Sequence, residues 1–159
     1  MSRNRKATED SKGERKIRLK DYESFLLDFR KESDRGAALV GAAFLDAELR
    51  EVLLSFLIDD EAAVTQFVED ERSTYRLVNT AYCLGLIPKT VRDELQRIRV
   101  IRNQFAHSLH GISFDDPKIA DMCGELELPR KICLDEGTCE APRERFSLSV
   151  FVLRDFLEG

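Results

Sequence analysis

Apolar residues recur along the chain at the three- and four-residue steps that place side chains on one face of a helix. Over residues 19–30 this face consists of Tyr22, Phe25, Leu26 and Phe29, which predicts a first helix. The strict alternation that is typical of a half-buried strand is weak and confined to 146–153. The pattern therefore favours an all-α fold.

The second predicted helix is long and runs from a cap at Ser33 or Asp34 to about residue 58. Its first half, residues 36–45 (GAALVGAAFL), is apolar on every side and rich in small residues. A helix of this composition is typically surrounded by neighbours that approach closely. We expect it to form the centre of the fold.

Local stop and start signals set the ends of the other helices. Gly85 and Pro88 end one helix. Thr90 with Asp93 resembles a capping box for the next helix, and Asp116 before a proline is typical of a further start. The predicted helices are residues 62–69, 74–84, 91–109, 117–124 and 143–157, with an irregular connection over 125–142.

Residues 1–18 lack periodicity, and we interpret them as a disordered basic arm before a single-domain bundle of about six to seven helices over 19–159. Residues 1–20 carry a net charge of +5, which leaves −10 on the remainder because the whole chain carries −5. The basic residues are Arg3, Arg5, Lys6, Lys12, Arg15, Lys16, Arg18 and Lys20. Such an arm can touch nucleic acid, whereas an acidic body has the wrong sign for a DNA-binding surface.

Composition narrows the class of protein. Apolar residues make up 43% and charged residues 35% of the chain, as in a globular, well-solvated domain. No apolar run approaches the roughly 20 residues of a membrane-spanning helix. The N-terminus also lacks the apolar stretch of a signal peptide. We expect a cytoplasmic protein without a membrane partner.

Metal and cofactor sites are not indicated. The four cysteines are irregularly spaced and form no CxxC pair, and the two histidines lie outside their cluster. These residues are Cys83, Cys123, Cys133, Cys139, His107 and His110. There is no Gly-rich phosphate loop and no Ser/His/Asp set. We therefore expect reduced thiols, no metal and no cofactor.

The helix predicted over 91–109 places an arginine in its apolar seam. The seam consists of Val91, Leu95, Ile98, Phe105 and Leu109. Position 102 of that series is Arg102, and a buried arginine is costly unless it is paired. Asp34 or Asp46 on the central helix would be its partner, which predicts a buried or half-buried ion pair.

The segment 102–107 (RNQFAH) resembles the R-x4-H motif of HEPN domains, helical bundles that include metal-independent ribonucleases. That resemblance implies that His107 moves protons at the ribose, Arg102 stabilises charge on phosphorus and Asn103 orients the phosphate. On one straight helix, however, Arg102 and His107 lie roughly 140° apart. A bend, or a second copy of the chain, would be needed, so we favour structural roles for these residues.

A wider set of segments resembles the mannitol operon repressor family. These segments are residues 32–46 (ESDRGAALVGAAFLD), 49–54 (LREVLL), 81–87 (AYCLGLI), 98–107 (IRVIRNQFAH) and 114–119 (FDDPKI), with Cys123. The resemblance covers roughly residues 20–157, and leaves the basic arm and the loop 127–142 unassigned. It implies an all-helical transcriptional regulator associated with the phosphocarrier HPr.

The residues give no sign of a DNA-reading module, because no second helix of a helix-turn-helix is basic and polar enough for a groove. We therefore expect a homodimeric regulatory module that binds a protein partner. The expected partner surface is acidic and consists of Asp59, Asp60, Glu61, Glu69, Asp70 and Glu71, although helix-end charges explain these residues equally well.

Two other functions stay open. A HEPN-type ribonuclease or RNA-binding toxin would use Arg102, Asn103 and His107. A direct DNA repressor would use the basic arm, with steeply salt-dependent binding that is lost when residues 1–20 are deleted. Nucleic acid is the less favoured partner in both cases because the body is acidic.

Overall fold

The computed structural model describes residues 24, 27–57, 60, 62, 74–132 and 140–159. The chain divides into two units, Met1–Ser33 and Asp34–Gly159. In the first unit residues 27–31 are helical, and Lys31 Nζ lies 3.6 Å from Asp28 Oδ1 on the helix surface. The rest of the predicted helix 19–30, the basic arm and nearly all of the predicted helix 62–69 lie outside the described residues.

The regular elements of the second unit are all helices, with no strand among its described residues, which confirms the all-α prediction. In chain order its helices are α1 (Asp34–Phe56), α2 (Thr74–Cys83), α3 (Lys89–His107), α4 (Pro117–Gly124), α5 (Leu128–Ile132) and α6 (Pro142–Glu158). None of the helices in the described ranges is both long and apolar enough to cross a membrane.

Helix α1 lies at the centre of this unit, as predicted, and packs against α6, α3 and α2. Its buried residues recur at nearly every fourth position and are Ala37, Ala38, Gly41, Leu45, Leu49 and Leu53. The small residues at its N-terminal half let neighbouring helices approach closely, whereas the three leucines fill the C-terminal half of the core. Each buried leucine contributes about 1.5–3 kcal/mol through the hydrophobic effect.

Helices α2 and α3 form an antiparallel hairpin. Gly85, at φ +75°, ends α2 in the left-handed conformation that glycine adopts without strain. Across the hairpin, the Arg92 guanidinium lies 4.5 Å from the ring centroid of Tyr82, and that of Arg99 lies 5.2 Å from the ring centroid of Tyr75. These cation–π contacts are two helical turns apart on each helix, so they fix the register of the pair.

The start of α3 differs from the prediction. The residue that caps it is Pro88 and not Thr90, and no side chain bonds to the free amides of the first turn. Asp93 instead accepts from Lys89 Nζ at 2.6 Å and from Arg92 Nη2 at 2.6 Å, and these bonds lower its pKa. The stability from these bonds is therefore present above the ordinary aspartate pKa and is lost as the pH falls through the lowered value.

Helix α5 was not predicted. Its N-terminus is stabilised by a carboxylate from α3 that accepts hydrogen bonds from backbone N–H groups. Glu94 is fully buried, and its two oxygens accept from the backbone N–H groups of Glu127 at 3.1 Å and Leu128 at 3.2 Å. Glu94 also accepts from Ser149 Oγ of α6 at 2.8 Å and from Arg97 Nη1 at 3.4 Å. One side chain thus satisfies free amides at the α5 N-terminus and ties α3 to α6.

An aromatic cluster lies in the core near the C-terminal end of α3. The Phe114 ring lies between those of Phe105 and Phe146, with centroid distances of 4.8 Å and 5.2 Å. All three rings are at most 1% exposed. Because they come from α3, the α3–α4 loop and α6, their tilted packing holds that loop against the bundle.

Candidate functional site

The buried face of α3 passes through Ile101 and not through Arg102. Ile98, Ile101 and Phe105 are each at most 2% exposed, whereas Arg102 is exposed. Leu109, the expected last member of the seam, is 94% exposed and lies beyond the helix end at His107. The prediction of a buried arginine in the seam is therefore wrong, because the helix continues its apolar face one residue earlier.

The two aspartates expected to pair with Arg102 have other partners. Asp34 Oδ1 lies 2.6 Å from Arg143 Nη1 of α6, and Asp46 Oδ2 lies 3.0 Å from Arg50 Nε, one turn along α1. Arg102 Nη1 instead donates to Asn103 Oδ1 at 3.1 Å. The ion pair that links α1 to α6 is thus formed by Asp34 and Arg143. The predicted pairing of Arg102 with Asp34 or Asp46 is wrong.

The start of α1 organises the loop after α3. Asp34 Oδ2 accepts from the Phe114 backbone N–H at 2.9 Å. Next to it, Arg35 Nη2 donates to the carbonyl oxygens of Ser108 at 2.5 Å and His110 at 3.5 Å. Three segments that are far apart in sequence, 32–46, 98–107 and 114–119, therefore meet at the C-terminal end of α3. These hydrogen bonds give the three segments a shared structural role, which does not require that they catalyse a reaction.

Within one chain the R-x4-H residues do not converge on one cavity. Arg102 and Asn103 line a groove, while His107 is exposed in the last turn of α3 and does not line it. Catalysis at a ribose would need the imidazole and the guanidinium at the same phosphate. The geometry of a single copy does not provide that arrangement.

The groove lies between α1, α2 and α3 and has a volume of about 430 Å³. Its polar side chains are Asp46, Thr74, Tyr75, Arg99, Arg102 and Asn103, and its apolar walls include Ala42, Ala43, Leu45 and Leu49. Sequence reasoning missed Arg99 and Tyr75. The spacing of Arg99, Arg102 and Asn103 at i, i+3 and i+4 was the available signal, because it places them on one face of α3.

The other predicted site residues give little further geometry. Of the six acidic residues, Asp60 is exposed, and the rest lie outside the described residues, as do Cys133 and Cys139. Cys83 and Cys123 are free thiols, and burial raises the pKa of Cys123 to about 12, so this thiol stays protonated at neutral pH. In the described part of the chain, no three His, Cys, Asp or Glu residues are placed to hold a metal ion.

The exposure of Arg102 gives a direct test of these assignments. Arg102→Ala should change the free energy of unfolding by no more than about 0.5 kcal/mol in a urea titration, because no buried acid loses a partner. Arg143→Ala, which leaves Asp34 without its guanidinium, should cost about 1.5–3 kcal/mol. A larger loss for Arg102→Ala than for Arg143→Ala would contradict the observed pairing.

The fold resembles that of a protein of known structure. The chain is similar to a chain of the MtlR–HPr complex from Escherichia coli, with a TM-score of 0.61 and 19% sequence identity over 80% of this chain and 92% of that one. No protein-family model matches the sequence, and no curated protein matches it either. At this identity the likeness establishes an MtlR-like helical fold.

Proposed function

We propose that the chain is a transcriptional-regulator-like module that acts by binding a protein, with an HPr-like phosphocarrier as the partner. The observation that carries the proposal is the fold likeness, which spans 92% of a chain whose structure was solved as a complex of MtlR with HPr. Neither the described helices nor the sequence offers a basic recognition helix, so protein contact is the favoured mode.

One end of the bundle has a surface suited to a protein partner. The C-terminal ends of α1, α2 and α6 expose large apolar side chains, namely Leu54, Phe56, Leu84 and Phe156. A nearby groove of about 490 Å³ is lined by Val52, Leu86, Ile87, Phe156 and Leu157, together with Asp155. Exposed apolar groups with a polar rim are typical of protein interfaces.

The acidic residues of the chain suggest the chemistry of the partner. Asp155 lines the groove, and the segment that follows α1 contains Asp59, Asp60 and Glu61. The proposed acidic surface would steer a partner that has basic residues around an apolar contact, and it consists of Asp59, Asp60, Glu61, Glu69, Asp70 and Glu71. We also propose that the module is a homodimer.

Charge reversal tests the acidic surface. Asp59→Lys, Asp60→Lys and Glu61→Lys together should weaken HPr binding about tenfold or more in calorimetric titrations, chiefly through slower association at low salt. The matched control reverses three exposed acids elsewhere, Asp115, Asp121 and Glu125, and changes the net charge equally. Equal weakening by both sets would assign the effect to net charge and remove the acidic surface as the contact.

A HEPN-type ribonuclease is the second candidate. The observation in its favour is that Arg102 and Asn103 lie together at a groove while His107 is exposed and accessible to a second copy. This function predicts metal-independent RNA cleavage that His107→Ala abolishes without unfolding the protein. Intact RNA after incubation with the wild-type protein across a range of pH would exclude it.

A further inference from the structure

The groove between α1, α2 and α3 holds positive charge that the bundle does not neutralise. Arg99 and Arg102 both line it, one helical turn apart, which places their Cβ atoms about 5–6 Å from each other. Neither guanidinium forms an ion pair with a carboxylate in the part of the chain that the structure describes. Asp46 also lines the groove, but its carboxylate is paired with Arg50. In a protein of net charge −5, two guanidinium groups without an ion pair at one groove indicate a site for an anion.

The two guanidinium groups are held in place and keep free donors. Arg99 donates through Nε to Gln96 Oε1 at 3.0 Å and lies over the Tyr75 ring, which leaves its two terminal nitrogens for a ligand. Arg102 uses Nη1 for Asn103 Oδ1. That bond leaves the Asn103 amide N–H₂ as a further donor beside the guanidinium. Preorganised donors of this kind lose little entropy when they bind an oxyanion.

The opposite wall provides an acceptor. Asp46 lines the groove from α1; its Oδ2 is paired with Arg50, and its Oδ1 is buried and accepts no hydrogen bond from the described residues. Because Asp46 lines the groove, its carboxylate can accept a hydrogen bond from a ligand hydroxyl or amine that reaches it. The short side chains of Ala42 and Ala43 leave the space between the two walls.

We propose that this groove binds a small phosphate monoester that carries a hydroxyl or amine, with the phosphate at Arg99, Arg102 and Asn103 and the donor towards Asp46. A monoester dianion offers enough oxygens for several donor groups, whereas a single arginine satisfies a monocarboxylate. A nucleic-acid backbone fits less well, because the groove is small and carries a carboxylate on one wall. The proposal does not rest on the proposed protein partner, because it uses only residues that line the groove.

The test uses glycerol 3-phosphate, ribose 5-phosphate and phosphoserine as probes, with glycerol and glycerate as ligands that lack the phosphate. Isothermal titration calorimetry of the full chain should show saturable binding of at least one probe below about 10 mM and none of glycerol or glycerate. In NMR spectra the probe should shift the side-chain amide of Asn103 and the Nε–H of Arg99. Absence of saturable binding for all three probes, or equal binding of glycerate, would overturn the proposal.

Three variants locate the site. Arg99→Gln with Arg102→Gln should weaken probe binding about a hundredfold, since each charged contact contributes roughly tenfold. The matched control, Arg130→Gln with Lys131→Gln on exposed positions of α5, should leave it unchanged. Ala43→Trp, at another exposed position, should block binding by filling the groove without altering its charges. Wild-type affinity in the first and third variants, or RNA bound more tightly than any probe through Arg99 and Arg102, would contradict it.

Discussion

Glu94→Ala should lower the free energy of unfolding by about 3–5 kcal/mol, because it removes a fully buried carboxylate that accepts hydrogen bonds from three elements. The backbone N–H groups of Glu127 and Leu128 would lose their acceptor at the start of α5, and the Ser149 hydroxyl of α6 would lose its acceptor on α3. Urea denaturation followed by circular dichroism measures this change.

Two further variants distinguish the loss of the buried hydrogen bonds of Glu94 from the loss of a negative charge on α3. Asp93→Ala removes the neighbouring carboxylate, whose partners are the exposed Lys89 and the half-buried Arg92, and should cost less than about 1 kcal/mol because both keep contact with water. Glu94→Gln keeps the shape and one acceptor oxygen, and should fall between the other two variants. If Glu94→Ala cost no more than Asp93→Ala, α5 and α6 would not depend on this carboxylate.

Phe114→Ala should destabilise the protein by about 3–5 kcal/mol, the usual cost of emptying a buried aromatic site. Phe114 is 1% exposed and contacts the rings of both Phe105 and Phe146, so the cavity would open between α3, the loop and α6. The loss should appear as a lower urea midpoint with an unchanged denaturant slope.

Leu109→Ala serves as the matched control for that variant. Leu109 lies in the same α3–α4 connection but is 94% exposed, so its truncation should change stability by no more than about 0.5 kcal/mol. Equal losses for the two variants would mean that Leu109 is buried in solution, as the sequence pattern alone had predicted.

The helices were predictable because their periodicity is local. The central position of α1 followed from its apolar, small-residue half, and the end of α2 followed from Gly85. The sequence of α3 allows two apolar faces, because the residue between Ile98 and Phe105 on the buried side can be either residue 101 or residue 102. A seam that continues to Leu109 favours residue 102. The helix ends at His107, however, so Leu109 does not belong to the seam and the buried residue is 101.

The buried charge could not be located from sequence. Glu94 lies between exposed and half-buried charged residues on α3, and the partners that it ties to other helices, Glu127, Leu128 and Ser149, lie 33 to 55 positions away. Helix α5 was missed for the same reason, since its first free amides are satisfied by a distant carboxylate and not by a local capping residue. Such contacts become visible only when the helices are packed together.

The candidate site was predicted in part. Arg102 and Asn103 were singled out, but the groove also needs Tyr75 from α2 and Asp46 from α1, and no local spacing connects these helices. The contacts of Asp34 and Arg35 similarly depend on the path of the loop after α3. The R-x4-H motif identified residues at a groove, while the reaction that the motif implies stays a prediction.

Titration of the purified full chain with HPr in a calorimeter tests the central claim most directly. A protein-binding module of this fold should give a saturable, stoichiometric isotherm with a Kd on the order of 10 µM or tighter, as for transient regulatory complexes. Heats indistinguishable from dilution at about 100 µM HPr would contradict the claim that this chain acts by binding an HPr-like partner.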